Sequence, residues 1–305
     1  MSKDRTLPQG PLVAWLGDDF TGSAATMEAL AFAGVPSVLF LDVPTKAQLA
    51  HFPDAQGIGI ATTARSHSPE WMQDNLPEIF SWLAGTGAPV VHYKVCSTLD
   101  SAPEVGSIGA AIDIGAPIVG GDWVPCLVAA PLMRRYQAFG NLFAGAPQGV
   151  FRLDRHPVMA RHPVTPMQEA DVARHLSWQT ARRTDCLDLE ALQGDPEGAL
   201  ERLRKAGAEI ITLDAMTRAD MEVNGRLIWD SDGPLLTVGS QGVEYALIDH
   251  WRAAGLIKRE DITQGAGAVD RMLAVSGSVS PVTASQIDWA EANGFAIVTL
   301  DAAAV

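Results

Sequence analysis

The chain has 305 residues, 47% of them hydrophobic and 19% charged, and carries a formal net charge of −14 from 22 Lys and Arg against 36 Asp and Glu. That balance excludes wholesale disorder and argues against a generic nucleic-acid or anionic-membrane surface, so any anionic ligand must be held locally. The N-terminus MSKDRTLPQG lacks the apolar centre of a signal peptide and no stretch reaches the roughly 18 apolar residues of a membrane span, which makes a cytoplasmic protein the expectation. Cys96, Cys126 and Cys186 are far apart and without CxxC spacing, the pattern of reduced thiols rather than a disulfide framework or zinc site.

In chain order, short apolar runs alternate with amphipathic stretches: PLVAWLG, PSVLFLD, GIGIATT, PVVHYKV and CLVAAP each precede a more polar segment. Runs that are apolar on both faces are what a helix-covered parallel sheet needs. The spacing predicts an α/β fold with a three-layer parallel-sheet N-terminal domain. Between Pro131 and Pro166 the rhythm gives way to a Gly-, Pro- and Arg-rich segment with the character of an ordered insertion, whose aromatics and arginines suit packing and ligand contact. Thr165 followed by Pro166 and Gln168 reads as a capped helix start running to about Leu176. A helix over 195–206, the strand EIITLDA, a helix near 217–228, the strand PLLTVGS and a helix beginning at Gln241 follow.

Residues 1–256 are therefore read as the first domain and 257–270, IKREDITQGAGAVD, as a linker. Residues 271–305 are read as the beginning of a second α/β domain, apparently incomplete, with strand RMLAVSG, a helix from about Pro281 to Asn293 and strand FAIVTLD.

Three stretches carry possible chemistry. In LGDDFTGSAATMEALAFAG, Asp18 and Asp19 lie where a buried strand turns into a helix, the edge of an open sheet where ligands bind. A carboxylate there can accept bonds from sugar hydroxyls, hold Mg2+ through water, or take a proton; one of the two can serve merely as a helix cap. In HYKVCSTLDSAPEVGS, Lys94, Ser97, Thr98 and Asp100 project over the same edge, offering a point charge and orientable hydroxyls, although a solvated turn would look similar. In AVSGSVSPVTASQ, a Gly turn and Ser280 before Pro281 present a helix N-terminus to an anion without the GK[ST] of a Walker loop. No metal site is expected at His156 and His162, which lie beside Arg152, Arg155 and Arg161, and neither GxSxG nor a GxGxxG turn after a strand is present.

With these stretches in place, the chain resembles the four-carbon acid sugar kinase family. GDDFTG (17–22) is similar to its Asp-Asp-x-Thr-Gly motif, and KVCSTLDS (94–101) stands where the family has Lys-x-Asp-Ser-Thr-Leu-Arg-Gly. HPVTPMQEAD (162–171) resembles its Pro-rich helix start, and SGSVSPVTASQ (276–286) its Gly-Ser-x-Ser motif. The resemblance implies phosphorylation of a small sugar acid by ATP with Mg2+, across a cleft between a substrate domain and a nucleotide domain. It implies that Asp18 and Asp19 hold the substrate, one as general base, with Ser97, Thr98 and Asp100 beside them, and that Arg65 and Lys94 bind its carboxylate. Ser276, Gly277, Ser278, Ser280 and Thr283 would border the ATP phosphates, no protein-built metal site is implied, and a homodimer is compatible with the pattern.

The chain departs from that pattern at Cys96, Asp100, Ser101 and Ala102, where the family has Asp, Arg, Gly and Asn. Replacing a cation by an anion beside a bound carboxylate changes recognition, which directs attention to a branched or keto acid such as 3-oxo-isoapionate. The family's Gly-Gly-x-Thr-Ser segment is also missing, so the alternatives are a truncated kinase with an incomplete ATP site or a non-catalytic sugar-acid-binding module. An NAD-dependent enzyme is disfavoured by the missing dinucleotide turn.

Overall fold

A computed structural model describes residues 7–257, 267–277 and 281–301. The chain divides into two compact units, Met1–Ile262 and Thr263–Val305. The first unit runs β1 (Val13–Gly17), α1 (Phe20–Phe32), β2 (Ser37–Phe40), α2 (Lys46–Leu49), β3 (Gly57–Ala61), α3 (Pro69–Ala84), β4 (Val90–Lys94), α4 (Ile108–Val119) and β5 (Val124–Leu127). It continues with β6 (Arg135–Ala138), β7 (Asn141–Ala146), β8 (Gly149–Arg152), α5 (Val172–Ser177), β9 (Thr184–Leu187) and α6 (Leu189–Gln193). It ends with α7 (Pro196–Lys205), β10 (Ile210–Leu213), α8 (Arg218–Trp229), β11 (Leu235–Gly239) and α9 (Gly242–Ala253). The described part of the second unit holds α10 (Pro281–Ala292).

Eight of these strands form one parallel sheet in the order β2-β3-β1-β4-β11-β5-β10-β9. Because side chains alternate along a strand, each strand feeds both faces. In β1, Ala14 and Leu16 join the core formed with α3, α4 and α5, whereas Val13 and Trp15 join the one formed with α1, α7, α8 and α9. This is the expected three-layer α/β arrangement. Gly59 of β3 lies opposite Trp15, and a Cβ there would come within 2.0 Å of the indole, so the second glycine of GIGIA leaves room for the largest side chain of β1.

The 131–166 segment is ordered, as an antiparallel sheet β6-β7-β8 followed by short 3-10 turns. Its β6–β7 turn has positive φ at Phe139 and Gly140, and their N–H groups donate to the buried Asp214 at the end of β10.

Two expectations need correction. The helix predicted from Thr165 begins instead at Val172, capped by Asp171, whose carboxylate accepts from the Arg174 N–H. Thr165 cannot cap because its hydroxyl is committed to Asp100 on a distant loop. The strands predicted at RMLAVSG and FAIVTLD do not form among the described residues: 271–277 and 295–301 have no ladder, with Leu273 91% and Val298 78% exposed. A strand is stabilised by a hydrogen-bonded neighbour and a covered face, and these segments have neither here. Within the predicted linker, 258–266 lies outside the described residues, as do the predicted phosphate contacts Ser278 and Ser280.

Candidate active site

β1 is the strand at which the chain changes direction across the sheet: β2 and β3 lie on one side of it and β4 on the other. At such a switch point the loops leaving neighbouring strands separate and open a crevice at their carboxyl ends. The backbone holds the strand ends together there. Asp18 N–H donates to Lys94 O at 3.0 Å, Arg65 N–H to Asp18 O at 3.0 Å, and Thr62 N–H to Gly17 O at 2.9 Å.

These bonds bring Asp18, Asp19, Arg65 and Lys94 together. Asp19 caps α1, with Oδ1 accepting from the Gly22 N–H at 2.9 Å. Asp18 caps nothing and is buried, at 1% exposure. Arg65, on the 3-10 turn after β3, grips it in a fork, Nε to Oδ2 at 3.0 Å and Nη2 to Oδ1 at 2.6 Å, and reaches Asp19 Oδ1 at 2.9 Å. Lys94 is equally buried and donates to Val95 O at 2.7 Å. A Cβ on Gly22 would lie 2.6 Å from Lys94 Nζ and 2.4 Å from Asp19 Oδ1, so the last glycine of GDDFTG leaves space for both charges.

Burial raises the Asp18 carboxyl above its ordinary value, while the Arg65 guanidinium and then Lys94 oppose the rise. For Arg65, burial works against the cation but Asp18 outweighs it and shifts the group upward. At Asp18 burial favours the neutral acid and the guanidinium favours the carboxylate, and the bidentate contact sets the two against each other. Asp19 Oδ2 accepts no hydrogen bond from the described residues, which leaves that oxygen available to a ligand.

The loop after β4 places the remaining predicted residues variously. Thr98 is buried against Cys96 Sγ at 3.0 Å, Ser97 is half-buried, and Asp100 Oδ1 accepts from Thr165 Oγ1 at 2.5 Å. Asp100 thus ties its loop to the 159–171 segment. Ser276, Gly277 and Thr283 lie in the second unit, where Gly277 has no heavy atom within 4 Å of a Cβ position.

Sequence reasoning missed the buried contact that fixes this loop from behind. Ser101 Oγ meets His175 Nε2 at 2.9 Å, Gln179 Nε2 reaches the Ser101 hydroxyl at 3.0 Å, and Gln179 Oε1 accepts from Ile108 N–H at 2.7 Å. Burial pulls the His175 imidazole down from 6.5 to about 4. Between those values an unfolded chain takes up a proton that the folded chain refuses, so the contribution is present above pH 6.5 and lost as pH falls toward 4. The loss amounts to about 3 kcal/mol. Thermal melts from pH 7 to pH 4 should therefore fall more steeply for the wild-type protein than for His175→Gln; parallel curves would refute this.

A cavity of about 540 Å³ lies elsewhere, between α1, α8 and α9, lined by Phe32, Leu132, Met221 and Tyr245 among others. Its charged lining residues Glu28, Arg218, Asp249 and Arg252 include a paired Arg218–Asp249, and it lies away from the carboxyl ends of the strands, where an open α/β sheet binds its ligands, so the chemistry is placed at the aspartates. Among the described residues no helix is long and apolar enough to cross a membrane.

Residues 13–247 match the sequence profile of the family described as Sugar-binding N-terminal domain. The chain belongs to that family. The match extends from β1 into α9 and includes all of the cluster just described. Members among the curated relatives include a Paraburkholderia graminis protein named 3-oxo-isoapionate kinase, 48% identical over 96% of this chain and 63% of that protein. A Pseudomonas fluorescens protein named 3-oxo-tetronate kinase is 30% identical over 93% of this chain and 64% of its own length. The chain thus spans just under two thirds of these relatives. A solved structure from Salmonella typhimurium LT2 superposes with a TM-score of 0.71 at 27% identity, covering 80% of this chain and 56% of that one. The family resemblance drawn from the four motifs is upheld.

Proposed function

We propose that this chain is the acceptor-binding part of an ATP-dependent kinase that phosphorylates a hydroxyl of a small sugar acid, with a keto or branched acid of the 3-oxo-isoapionate type as the leading substrate. The observation that carries the reading is the unspent Oδ2 of Asp19, held at a helix cap beside a buried, neutralised Asp18–Arg65 pair. A carboxylate fixed by its other oxygen can accept the proton of the hydroxyl that attacks phosphorus. Asp18 positions Arg65, and Lys94 offsets the second negative charge. The name of the 48% identical relative supports the choice of substrate, as does Asp100, which stands where the family motif has a cation.

The described residues do not fit the nucleotide or its metal. Ser276 and Gly277 are exposed and form no cradle, and no three acids, histidines or cysteines group into a metal site. Asp18 and Asp19 already share a guanidinium, which would repel Mg2+.

Calorimetric titration with 3-oxo-isoapionate and threonate, followed by an ADP-release assay with ATP and the same acids, tests the reading. Binding of the acid to this chain is expected, and ADP release once the nucleotide-binding part is supplied with it. Binding without ADP release even then would identify a non-catalytic sugar-acid-binding module, and no binding of either acid would overturn both.

A further inference from the structure

The cation content of the cluster is already spent. Asp18 and Asp19 carry two negative charges, Arg65 and Lys94 two positive ones, and three of the guanidinium's hydrogen bonds go to the two carboxylates. A substrate that brings its own carboxylate needs a further positive group. Burying an unbalanced anion here would cost more than its hydroxyl contacts return.

Arg135 meets that need. It opens β6 and is strapped to the end of β5 through Ala130, whose N–H donates to Arg135 O at 2.9 Å while Arg135 N–H donates to Ala130 O at 3.1 Å. β5 is joined to β11 and β11 to β4, and Val95 N–H donates to Gly239 O at 2.8 Å, so Arg135 stands on the same carboxyl rim as Lys94. Cys96, two residues beyond Lys94, lies within electrostatic reach of both the Arg65 and the Arg135 guanidinium.

Unlike Arg65, Arg135 has no carboxylate within ion-pair distance among the described residues. Its Nη1 touches only carbonyl oxygens, those of Met133 at 3.2 Å, Arg134 at 3.3 Å and Gly145 at 3.5 Å. Its Nε is buried without a partner. Burial accordingly pulls its pKa downward, the mark of a cation kept in a partly dry place with nothing to neutralise it. A half-buried fork with unsatisfied donors suits a planar carboxylate.

We propose that Arg135 is the residue that recognises the carboxylate of the sugar acid, in place of Arg65. This rests on the sugar-acid reading above and names the atom group behind its specificity. Calorimetry with threonate and with its uncharged methyl ester, on wild type, Arg135→Gln and Arg135→Lys, tests it. Threonate affinity is expected to fall about 10- to 100-fold in Arg135→Gln and to recover in part in Arg135→Lys, while the ester binds all three alike. Threonate affinity within twofold of wild type in Arg135→Gln, or an equal loss for the ester, overturns the role of Arg135 and leaves the kinase reading standing. Failure of wild type to bind threonate or 3-oxo-isoapionate instead overturns the sugar-acid reading itself, and the role of Arg135 with it.

Discussion

Asp19→Asn is expected to lower the turnover number for phosphoryl transfer about 100- to 10,000-fold while changing the melting temperature and the affinity for the acid little. The separation follows from the two jobs of this side chain. Its Oδ1 caps α1 and meets Arg65, and an amide oxygen can do both, since Asn is as good an N-cap as Asp. What the amide cannot do is accept a proton at the position of Oδ2. Coupled ADP kinetics, resolved into kcat and KM beside a thermal melt, read the two jobs independently. Unchanged kcat would remove Asp19 as the base; a collapse of the melt with kcat would show that the residue is only structural. Asp18 does not share this prediction, because both its oxygens are occupied by Arg65 and it is closed to solvent.

The sheet was legible because its strands are apolar on both faces and short, a pattern few other arrangements produce. β9 was missed because TDCL mixes polar and apolar residues at the sheet's edge, where only one neighbour is needed. The β6-β7-β8 sheet was seen only as an ordered insertion, since its turns depend on Asp214, 75 residues from the Phe139 N–H it accepts. The site divides in the same way. Asp18, Asp19 and Lys94 could be placed at one edge because each ends or follows a strand, and the resemblance supplied Arg65. That Arg65 binds the acids themselves was not visible, because contacts across 46 and 47 residues depend on how the β3 turn folds back. Arg135 was hidden for the opposite reason: it lies in a segment rich in arginines, and only the structure separates this half-buried guanidinium without a carboxylate partner from the exposed Arg134, Arg155 and Arg161 and from Arg152, which pairs with Asp154.

Arg65→Met should cost about 3–5 kcal/mol of stability at neutral pH, because it leaves Asp18 buried without its counter-ion. The cost has a distinctive dependence on pH. Arg65 is the largest influence holding the Asp18 pKa down against burial, so its loss moves the folded-state value further up from the ordinary 3.8. A carboxyl whose folded pKa exceeds its unfolded one stabilises the protein below the unfolded value and loses that contribution as pH rises through the folded one. The difference in melting temperature between variant and wild type should therefore be smallest near pH 4 and widen toward pH 7, the reverse of the ordinary acid lability of a salt bridge. Adding Asp18→Asn to Arg65→Met removes the charge that cannot be neutralised and should restore much of the stability and flatten the profile, although catalysis stays lost. A deficit that is constant with pH, or a double variant no more stable than the single one, would mean that Asp18 is not the group left stranded and that the fork contributes by packing alone.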